Sequence, residues 1–538
     1  MTDTVPAIPA DFDIAWEPSE AQLQWEWDDM HWPSPLAPLA MDFGLLILAG
    51  INASYVRFGA PFNLRTRFIA GYAYMAMDYG VPDDDVKGAF DRLRDAHRAF
   101  APDNAAYWRD EALPALREIY AFVDGIDVDG LAGDELADAW RAAWDRITDA
   151  WHIHFVAIRG AYISSEDLSD FYERVVPGAA PGEAMALIQG GNDVLQEVEA
   201  GIEALVDRIG ADDRLADRLR VRPLPALDEI ETIAPERAAE IRRFLGEHGH
   251  LGQTFDDLAL PSWAEEPSIL VAELAKRLLD PPERHAARRA RLRQEAARLL
   301  AAARERVAAQ PDDRAELERR FELASDIGPL TEVHNYWIDR MSQAHLRRLA
   351  FRVGRRLVRD GSVTEPADVL YLHRDEVADL LRAPEDRTAM IGERRAEHAR
   401  QRTLKAPNKL GRVEPDFGLT SRFDVPREEA GDADELKGTG ASAGVVRGPA
   451  RVALGSEDFE RIQRGDIIVC PSSNPSWVPV FAIAGGLVTN TGGVLSHAAV
   501  VAREFGLPAV VGVAGATDKI NDGRMVEIDG TAGTVRLL

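Results

Sequence analysis

Cysteine is the scarcest residue type here: the 538 residues contain only one, Cys470. A single thiol excludes internal disulfides and zinc sites built from several cysteines. Because Cys470 ends a strand-like apolar run, we expect it to be buried as a small apolar side chain. Stability must therefore come from ordinary hydrophobic cores, and the length predicts roughly two to four domains.

Positive charge is also scarce. The chain has 62 Lys and Arg residues against 90 Asp and Glu residues, a formal net charge of −28. Binding to nucleic acid or to an anionic membrane depends on surplus Lys and Arg that neutralise phosphates. The composition therefore argues against both partners and indicates a solvated acidic surface.

Long hydrophobic segments are missing as well. Residues 1–7 have neither the basic region nor the apolar core of a signal peptide. The apolar run at 43–56 is too short to cross a bilayer as a helix. We therefore expect a soluble, cytoplasmic protein that does not enter a membrane.

The sequence also lacks a recognisable nucleotide-binding loop. It contains no Gly-x-x-x-x-Gly-Lys-Ser/Thr motif and no convincing Gly-x-Gly-x-x-Gly after a strand. We therefore do not expect this chain to bind ATP through either of these loops.

Strand signals are sparse in the first 400 residues, and the clearest is 368–372. Apolar residues recur there at helical spacing, with charged faces between them, which predicts helices at 86–124, 134–160, 192–210 and 234–246. The segment 281–320 predicts one or two long helices with a break near Pro311. This region is therefore expected to be mainly α-helical.

Composition changes at 402–437, where prolines are spread through polar sequence that ends in an acidic run. Such a composition is typical of a connector. Short strand-like runs then alternate with short helices; the runs are 445–453, 467–470, 487–489, 509–511 and 526–528. The prediction is a multidomain fold with a helical substrate-binding region at 1–401, a linker at 402–437 and an α/β domain at 438–538.

The segment Thr491–Glu504 carries the clearest chemical signal. Gly492 and Gly493 allow a tight turn, and Ser496 is a favoured residue at a helix N-terminus. His497 follows directly, so a phosphate attached to its ring would lie at the positive end of the helix dipole. We expect these residues and Arg503 to support a phosphate and its loop. A structural histidine at a helix cap is the alternative from these residues alone.

Motifs around His497 extend this interpretation. They are Gly440-Ala-Ser-Ala-Gly444, Gly465-Asp-Ile-Ile-Val469, Asn474-Pro-Ser-Trp477, Leu507-Pro-Ala-Val-Val-Gly512 and Val526-Glu-Ile-Asp-Gly530. In this order they resemble the swivelling phosphohistidine domain of the phosphoenolpyruvate-utilising enzymes. The resemblance implies that His497 becomes phosphorylated and passes the phosphate on. Leu495 replaces a threonine that is regulatory in the plant-type dikinases, so that control is not expected.

The resemblance also implies how His497 is charged. An ATP-grasp domain transfers the β-phosphoryl group of ATP to the histidine and leaves AMP and phosphate. The chain has no segment left for that domain, nor for the barrel that binds phosphoenolpyruvate. We therefore expect Mg²⁺ and ATP to act through a separate ATP-grasp subunit, with no cofactor bound by this chain alone.

The helical region has signatures of its own. They are Trp25–Leu39, Gly71-Tyr-Ala-Tyr74, Gly249-His-Leu-Gly252 with 256–263, and Glu332-Val-His-Asn-Tyr-Trp-Ile-Asp339. The first three resemble the substrate domain of rifampin phosphotransferases, and the last resembles the α subunits of phenylphosphate-synthase-like enzymes. Leu251 and Ser262 stand where relatives often have arginine, so two cationic contacts are not expected here.

The last signature predicts the acceptor site. On a regular helix Glu332, Asn335 and Asp339 share one face, whereas the position of His334 relative to that face is left open. Either Glu332 or His334 could take the hydroxyl proton of the acceptor. The alternative for each of these side chains is a buried hydrogen bond between helices.

Three further residues complete the predicted substrate site. Tyr336 and Trp337 would suit an aromatic alcohol, and His250 lies in a glycine-rich loop from which it could reach the acceptor. No metal site is predicted, because His152 and His154 are two residues apart on a helix and point to different faces.

The resulting prediction is the phosphohistidine and substrate-binding subunit of a two-component phosphotransferase. Its acceptor would be a small hydroxylated molecule, a phenol or an alkylphenol. The alternatives are a component of a rifamycin-type antibiotic phosphotransferase and a phosphocarrier or regulatory module without enzyme activity.

Overall fold

The computed structural model describes most of the chain. The described residues are Phe12, Ile14, 16–28, 31–32, 34–179, 183–188, 193–221, 224–252, 257–279, 284–404, 406–412, 435–454, 456–473, 477–481, 483–493 and 496–538. They fall into two compact units. The described residues of the first unit lie within 1–159, 255–260 and 334–419, and those of the second lie within 160–254, 261–333 and 420–538.

Helices dominate the described residues, and their bounds are as follows. They are α1 Pro38–Arg57, α2 Val86–Phe100, α3 Asn104–Tyr107, α4 Leu113–Gly125, α5 Gly133–Val175, α6 Glu183–Ala186, α7 Asp193–Gly210, α8 Asp213–Leu219, α9 Leu227–Ile233, α10 Pro235–His248, α11 Pro267–Leu279, α12 His285–Arg306, α13 Pro311–Ile327, α14 Leu330–His334, α15 Met341–Arg359, α16 Arg374–Arg382, α17 Thr388–Gln401, α18 Val478–Phe481, α19 His497–Phe505 and α20 Ala516–Lys519. Short 3₁₀ turns lie at Asp83–Asp85, Ala101–Asp103, Pro366–Tyr371 and Ser456–Arg461, and π turns at Trp108–Ala112 and Asn335–Arg340.

The first unit contains a four-stranded antiparallel sheet beside its helices. Its strands are β1 Gln24–Trp27, β2 Phe62–Ile69, β3 Tyr72–Tyr79 and β4 Lys409–Gly411, in the order β2-β3-β1-β4. A two-residue turn, Ala70-Gly71, joins β2 to β3, and both residues have positive φ, +48° and +80°. That turn matches the twist of an antiparallel hairpin.

Helix α1 lies in the core of the first unit. By length and composition, this 20-residue helix could cross a membrane. The apolar run at 43–56, judged from the sequence, was too short to do so. In the structure, however, 61% of its apolar window is buried inside the protein. Leu39, Phe43 and Ile47 pack in one large hydrophobic cluster of the unit. It is a core helix.

The second unit contains the eight-stranded sheet of the C-terminal region. Its strands are β5 Glu435–Lys437, β6 Thr439–Ser442, β7 Val445–Val452, β8 Ile467–Cys470, β9 Gly486–Thr489, β10 Ala509–Val511, β11 Met525–Asp529 and β12 Thr534–Leu537. Their order is β5-β12-β11-β7-β8-β9-β10-β6, and β7 to β10 are parallel to one another. Successive strand residues enter two different apolar clusters, so both faces of the sheet are covered.

Most sequence predictions of elements are confirmed. Among the described residues, helices occupy most of the four predicted segments and of 285–320, with the expected break before Pro311, and each predicted C-terminal strand is present. Cys470 is buried in an apolar cluster, as expected, and burial raises the pKa of its thiol. The chain is multidomain, with a helical N-terminal region and a C-terminal sheet domain.

One predicted strand was wrong, and one sheet was missed. The segment 368–372 is not a strand: Pro366–Tyr371 forms a 3₁₀ turn, because the proline starts it and Glu365 and Asp368 cap it reciprocally. The sheet of β1 to β4 was not predicted. Its hairpin turn is Ala-Gly, and Ala seldom takes positive φ, so the usual Asn-Gly or Asp-Gly signal is missing.

The predicted linker at 402–437 contains two paired strands. β4 pairs with β1 in the first unit, and β5 pairs with β12 in the second. Residues 413–434, which include the acidic run, lie outside the described residues. The predicted helical region at 1–401 is shared between the two units, since α5 belongs to the first up to Arg159 and to the second from Gly160.

Candidate functional site

The histidine loop connects β9 to α19. Because β7 to β10 are parallel, the loop leaves the sheet at the carboxyl ends of these strands, the edge where α/β sheets commonly bind ligands. Helix α19 begins at His497 and ends at Gly506, whose φ is +60°. This is the strand, turn and helix that the sequence predicts; Leu495 and the side chain of His497 lie outside the described residues.

Ser496 caps this helix. Its hydroxyl donates to the carbonyl of Gly493 over 2.8 Å and accepts from the amide of Ala499 over 3.4 Å. Gly492 has a φ of +106°, and a Cβ atom there would lie 2.9 Å from the Ser496 hydroxyl. The cap and the glycine turn therefore place His497 at the amino end of the helix, where free amides and the dipole favour an anion.

The strand end before the loop is held by side-chain hydrogen bonds. The hydroxyl of Thr489 donates to the carbonyl of Thr491 over 2.6 Å. The amide side chain of Asn490 donates to the hydroxyl of Thr517 over 2.7 Å and accepts from its backbone amide over 3.0 Å. These bonds fix the chain from which the glycine turn departs.

Arg503 lies at the other end of α19. It is buried, and its guanidinium donates to the carbonyl of Ala441 in β6 over 2.9 Å. This contact ties the helix to the edge strand of the sheet. Its predicted support of the phosphate stays a prediction.

A second cluster of chemical groups lies in the first unit. His154 of α5, His334 at the end of α14 and Asp339 are all buried, and one ligand atom from each lies within 4.8 Å of the others. Nε2 of His154 is 3.2 Å from Oδ1 of Asp339. Nε2 of His334 is 3.9 Å from Oδ2 of the same carboxylate. Two imidazoles thus face one carboxylate.

A π turn creates this cluster. Asn335–Arg340 is π-helical, so the extra residue per turn brings His334 and Asp339, five positions apart, to the same face. A regular α-helix would put them on different faces and would align Glu332, Asn335 and Asp339 instead. His334, whose position relative to the polar face the sequence left open, therefore lies on the same face as Asp339.

Aromatic packing fixes the ring of His154. The ring stacks on Trp151 with centroids 4.9 Å apart and lies 4.5 Å from the ring of Phe155. The ring of His334 is perpendicular to it, with centroids 4.4 Å apart. Burial, aided by the positive charges of Arg159 and His31, holds the pKa of His154 well below its usual range. His154 is thus a neutral imidazole near pH 7.

The other predicted substrate residues have separate surroundings. Glu332 is buried in α14 and belongs to the second unit, whereas Asn335, Tyr336 and Trp337 belong to the first. Tyr336 is buried, and Asn335 is partly buried. The carbonyl of Trp337 accepts from the hydroxyl of Tyr120 over 2.7 Å, and Arg117 lies over its ring at 5.4 Å. Their roles toward a substrate stay predictions.

His250 follows α10 in the second unit and is buried. The loop around it is closed by backbone bonds: the amide of Trp263 donates to Leu251 over 2.6 Å, and the amide of Ala264 donates to Gly249 over 2.8 Å. Ser262 donates to the carboxylate of Glu265 over 2.9 Å. The glycines thus serve a compact turn, and the role of His250 toward a substrate stays a prediction.

Sequence reasoning missed the part played by His154. It tested His154 only against His152 on the same helix, whereas the partners come from residues about 180 positions later. The pairing of His31 with Asp28 was also not predicted. Nδ1 of His31 lies 2.8 Å from Oδ2 of the buried Asp28. The i, i+3 spacing of Asp28 and His31 was the available signal for that pair.

Comparisons with known proteins agree with this geometry. Residues 462–533 match the family described as PEP-utilising enzyme, mobile domain, and residues 154–332 match the rifampicin phosphotransferase fourth domain. The chain therefore contains a segment that matches this mobile domain, and the resemblances to the phosphoenolpyruvate-utilising enzymes and to rifampin phosphotransferases are confirmed; the resemblance to phenylphosphate-synthase-like α subunits stays a prediction.

Individual relatives make the similarity more specific. At 29% identity, 77% of the chain aligns with 48% of a rifampicin phosphotransferase from Streptomyces sviceus. At 30% identity, 52% of it aligns with 32% of the rifampicin phosphotransferase of Bacillus subtilis. The whole chain aligns at 28% identity with 14% of a chondramide synthase from Chondromyces crocatus. The chain spans less than half the length of each of these relatives.

Proposed function

We propose that this chain is the phosphohistidine and acceptor-binding part of a phosphotransferase. The observation that carries the proposal is the position of His497, the first residue of a serine-capped helix inside the segment that matches the mobile domain. The similarity to rifampicin phosphotransferases supports transfer of the phosphoryl group to a small molecule.

The proposed reaction has two steps. In the first, a ring nitrogen of His497 attacks the β-phosphorus of ATP, so that an N–P bond forms while the P–O bond to AMP breaks, and water then cleaves the bond between the β- and γ-phosphoryl groups and releases phosphate. In the second, the acceptor oxygen attacks the same phosphorus, an O–P bond forms, and the imidazole leaves in its neutral form. The hydroxyl proton passes to a base. The free amides at the start of α19 stabilise the phosphoryl charge between the two steps.

The partner and cofactors belong to the first step. We propose a separate ATP-grasp subunit that holds ATP and Mg²⁺ and charges His497 in trans. The family resemblance supports charging by a separate subunit. A second support is that the 538-residue sequence contains neither of the two glycine-rich nucleotide-binding motifs. The mobile domain then swivels on the predicted linker at 402–437 to discharge at the acceptor.

A phenol or alkylphenol is the proposed acceptor. Support comes from the similarity of Glu332–Asp339 to phenylphosphate-synthase-like α subunits and from the aromatic rings of Trp151 and Phe155 beside His154. A rifamycin is the second candidate, favoured by the relatives that are rifampicin phosphotransferases.

The experiment mixes the chain with an ATP-grasp protein, ATP and Mg²⁺ and measures acid-labile phosphate on the chain. We expect labelling of the wild type and of His152→Gln, a control histidine in the other unit, and no labelling of His497→Ala. Label retained in His497→Ala would show that another residue carries the phosphate.

The labelled chain, separated from ATP, is then mixed with phenols, sugars and rifamycins in turn. Release by phenols supports the proposed acceptor, and release by rifamycins supports the second candidate. Release by none of them favours the phosphocarrier alternative. In the same assay Glu332→Gln and His334→Gln identify the base, because loss of the base slows discharge and leaves charging unchanged.

A further inference from the structure

The cluster in the first unit has the composition of a metal site. It offers two imidazole nitrogens and one carboxylate, the ligand types that Zn²⁺ and its first-row neighbours take from proteins. The three residues come from separate positions, α5 for His154, the end of α14 for His334 and the π turn for Asp339. Their convergence is a property of the fold and not of one local motif.

The distances fit a bound ion. Zinc ligands at their usual bond lengths in a tetrahedron are separated by about 3.4 Å. Oδ1 of Asp339 is 3.2 Å from Nε2 of His154, and its other oxygen, Oδ2, is 3.9 Å from Nε2 of His334. One ligand atom from each residue lies within 4.8 Å of the others, so binding of an ion between them requires the side chains to approach one another by up to about 1.4 Å.

The surroundings favour a divalent ion of the zinc type over Mg²⁺ or Ca²⁺. All three residues are at most 6% exposed, and the ring of His154 is held between Trp151 and Phe155. Mg²⁺ and Ca²⁺ prefer sites made of oxygen ligands and water, whereas imidazole selects Zn²⁺ and related ions. A cation also compensates the burial of the Asp339 carboxylate.

We propose that His154, His334 and Asp339 bind one divalent transition-metal ion, for which Zn²⁺ is the best fit. Three protein ligands leave one coordination position open, as in catalytic zinc sites. An acceptor hydroxyl bound there loses its proton to water more readily, because the ion lowers its pKa. His334 then acts as a ligand and not as a base.

This role for the ion rests on the proposed function, whereas the site itself does not. In the full reaction, the metal-bound oxygen attacks the phosphorus, the new O–P bond forms and the N–P bond to His497 breaks. Metal binding can be measured without ATP, a partner or an acceptor. Failure of the site and failure of the phosphotransfer are therefore distinguishable.

The experiment measures metal content in the full chain. The protein is stripped with a chelator, titrated with Zn²⁺ or Co²⁺, and analysed by mass spectrometry for metal and by the visible absorption of Co²⁺. We expect one equivalent per chain and a Co²⁺ spectrum typical of four-coordinate nitrogen and oxygen ligation. Asp339→Asn and His334→Gln should each weaken binding by more than about 100-fold, since even the loss of a group that only orients a ligand costs 10–100-fold.

His152→Gln is the matched control, because it removes an imidazole two residues from His154 on the same helix and is expected to retain the metal. His497→Ala should also retain it. Circular dichroism of each variant checks its folding. No bound equivalent in the wild type, or equal binding by wild type and folded Asp339→Asn, would overturn the site.

The role of the ion is tested on the phosphorylated chain after removal of ATP and the charging protein. Discharge to the acceptor should stop when the metal is stripped and return with Zn²⁺. Discharge at the full rate by metal-free protein would overturn the role while leaving the binding measurements to decide the site.

Discussion

His97 is the residue whose environment most clearly predicts a pH effect. It lies in α2, is 3% exposed and packs against Phe58 with ring centroids 4.1 Å apart. Neither ring nitrogen has a hydrogen-bond partner among the described residues. Burial, with a smaller contribution from the positive charge of Arg159, lowers the pKa of His97 to about 4.

We predict that His97 makes the protein less stable in mild acid. Because its folded-state pKa lies below the usual value of about 6.5, the unfolded chain takes up the proton first. The contribution of neutral His97 to the free energy of unfolding is therefore complete above about pH 6.5. It is lost as the pH falls toward about 4, and the loss is on the order of 3 kcal/mol. Urea unfolding of His97→Leu at pH 7 and pH 4.5 should show a smaller difference than the wild type.

His373 provides a control of opposite sign. Its hydrogen bond to Asp42 raises its pKa, so its contribution is present at low pH and lost as pH rises through that raised value. His373→Leu should therefore steepen the loss of stability in acid. Equal pH dependence in wild type and His97→Leu would show that His97 does not titrate in the folded protein as predicted.

At this scale the sequence predicted the local structure around His497 better than it predicted the second cluster. His497, Ser496 and the two glycines are adjacent, so their meaning is local and can be recognised from spacing. His154 and Asp339 are distant in sequence, and their meeting depends on tertiary packing. No spacing rule connects residues that only the fold brings together.

At the scale of elements, irregular turns account for most of what the sequence did not predict. The predicted common face of Glu332, Asn335 and Asp339 required a regular α-helix. The π turn instead places His334 and Asp339 on one face. The helices themselves were predictable, because amphipathic spacing over ten or more residues is a strong signal. A single inserted residue in a turn leaves that spacing almost unchanged.

Helices α7 and α11 are joined by a buried ion-pair network. Arg277, 1% exposed, donates to both carboxylate oxygens of Glu199 over 2.8 and 3.1 Å. Its Nε donates to Glu273, one turn earlier on α11, over 2.5 Å. One arginine thus compensates two buried carboxylates.

We predict that Arg277→Met destabilises the second unit by about 3–5 kcal/mol at pH 7, because two buried carboxylates lose their ion pairs with this guanidinium. Chemical unfolding at pH 7, followed by circular dichroism, measures the difference.

The matched control is Arg284→Met. Arg284 pairs with Asp207 of α7 in two hydrogen bonds, but both side chains are more than half exposed. Exposed pairs contribute about 0–1 kcal/mol. Similar losses from the two substitutions would mean that burial does not set the strength of the Arg277 network.

At the scale of the whole molecule, the sequence predicted the helical region and the C-terminal sheet domain, but not how the helices divide into units. The change of composition near 402 and the return of strand patterns after 438 are visible in one dimension. The boundary lies between Arg159 and Gly160, inside the continuous helix α5, and a single glycine within a long helical pattern does not mark a domain boundary. Domain boundaries inside a helix leave no such signal.

The proposed charging of His497 in trans leads to the last prediction, which concerns the source of the phosphoryl group. The aligned parts of the chain cover 48% and 32% of two rifampicin phosphotransferases. Incubated alone with ATP and Mg²⁺, the chain should acquire no acid-labile phosphate. With an ATP-grasp protein added, label should come from the β position of ATP and not from the γ position, because the resemblance implies AMP and phosphate as products.

Two labelled preparations of ATP make this test exact. Label from the β position, together with AMP formed in proportion to phosphoprotein, supports charging of the dikinase type. Label from the γ position with ADP as the product would instead mean that His497 is charged as in an ordinary kinase reaction. Label acquired by the chain alone would remove the need for a partner, because the chain would then bind ATP itself through residues without a recognised nucleotide loop.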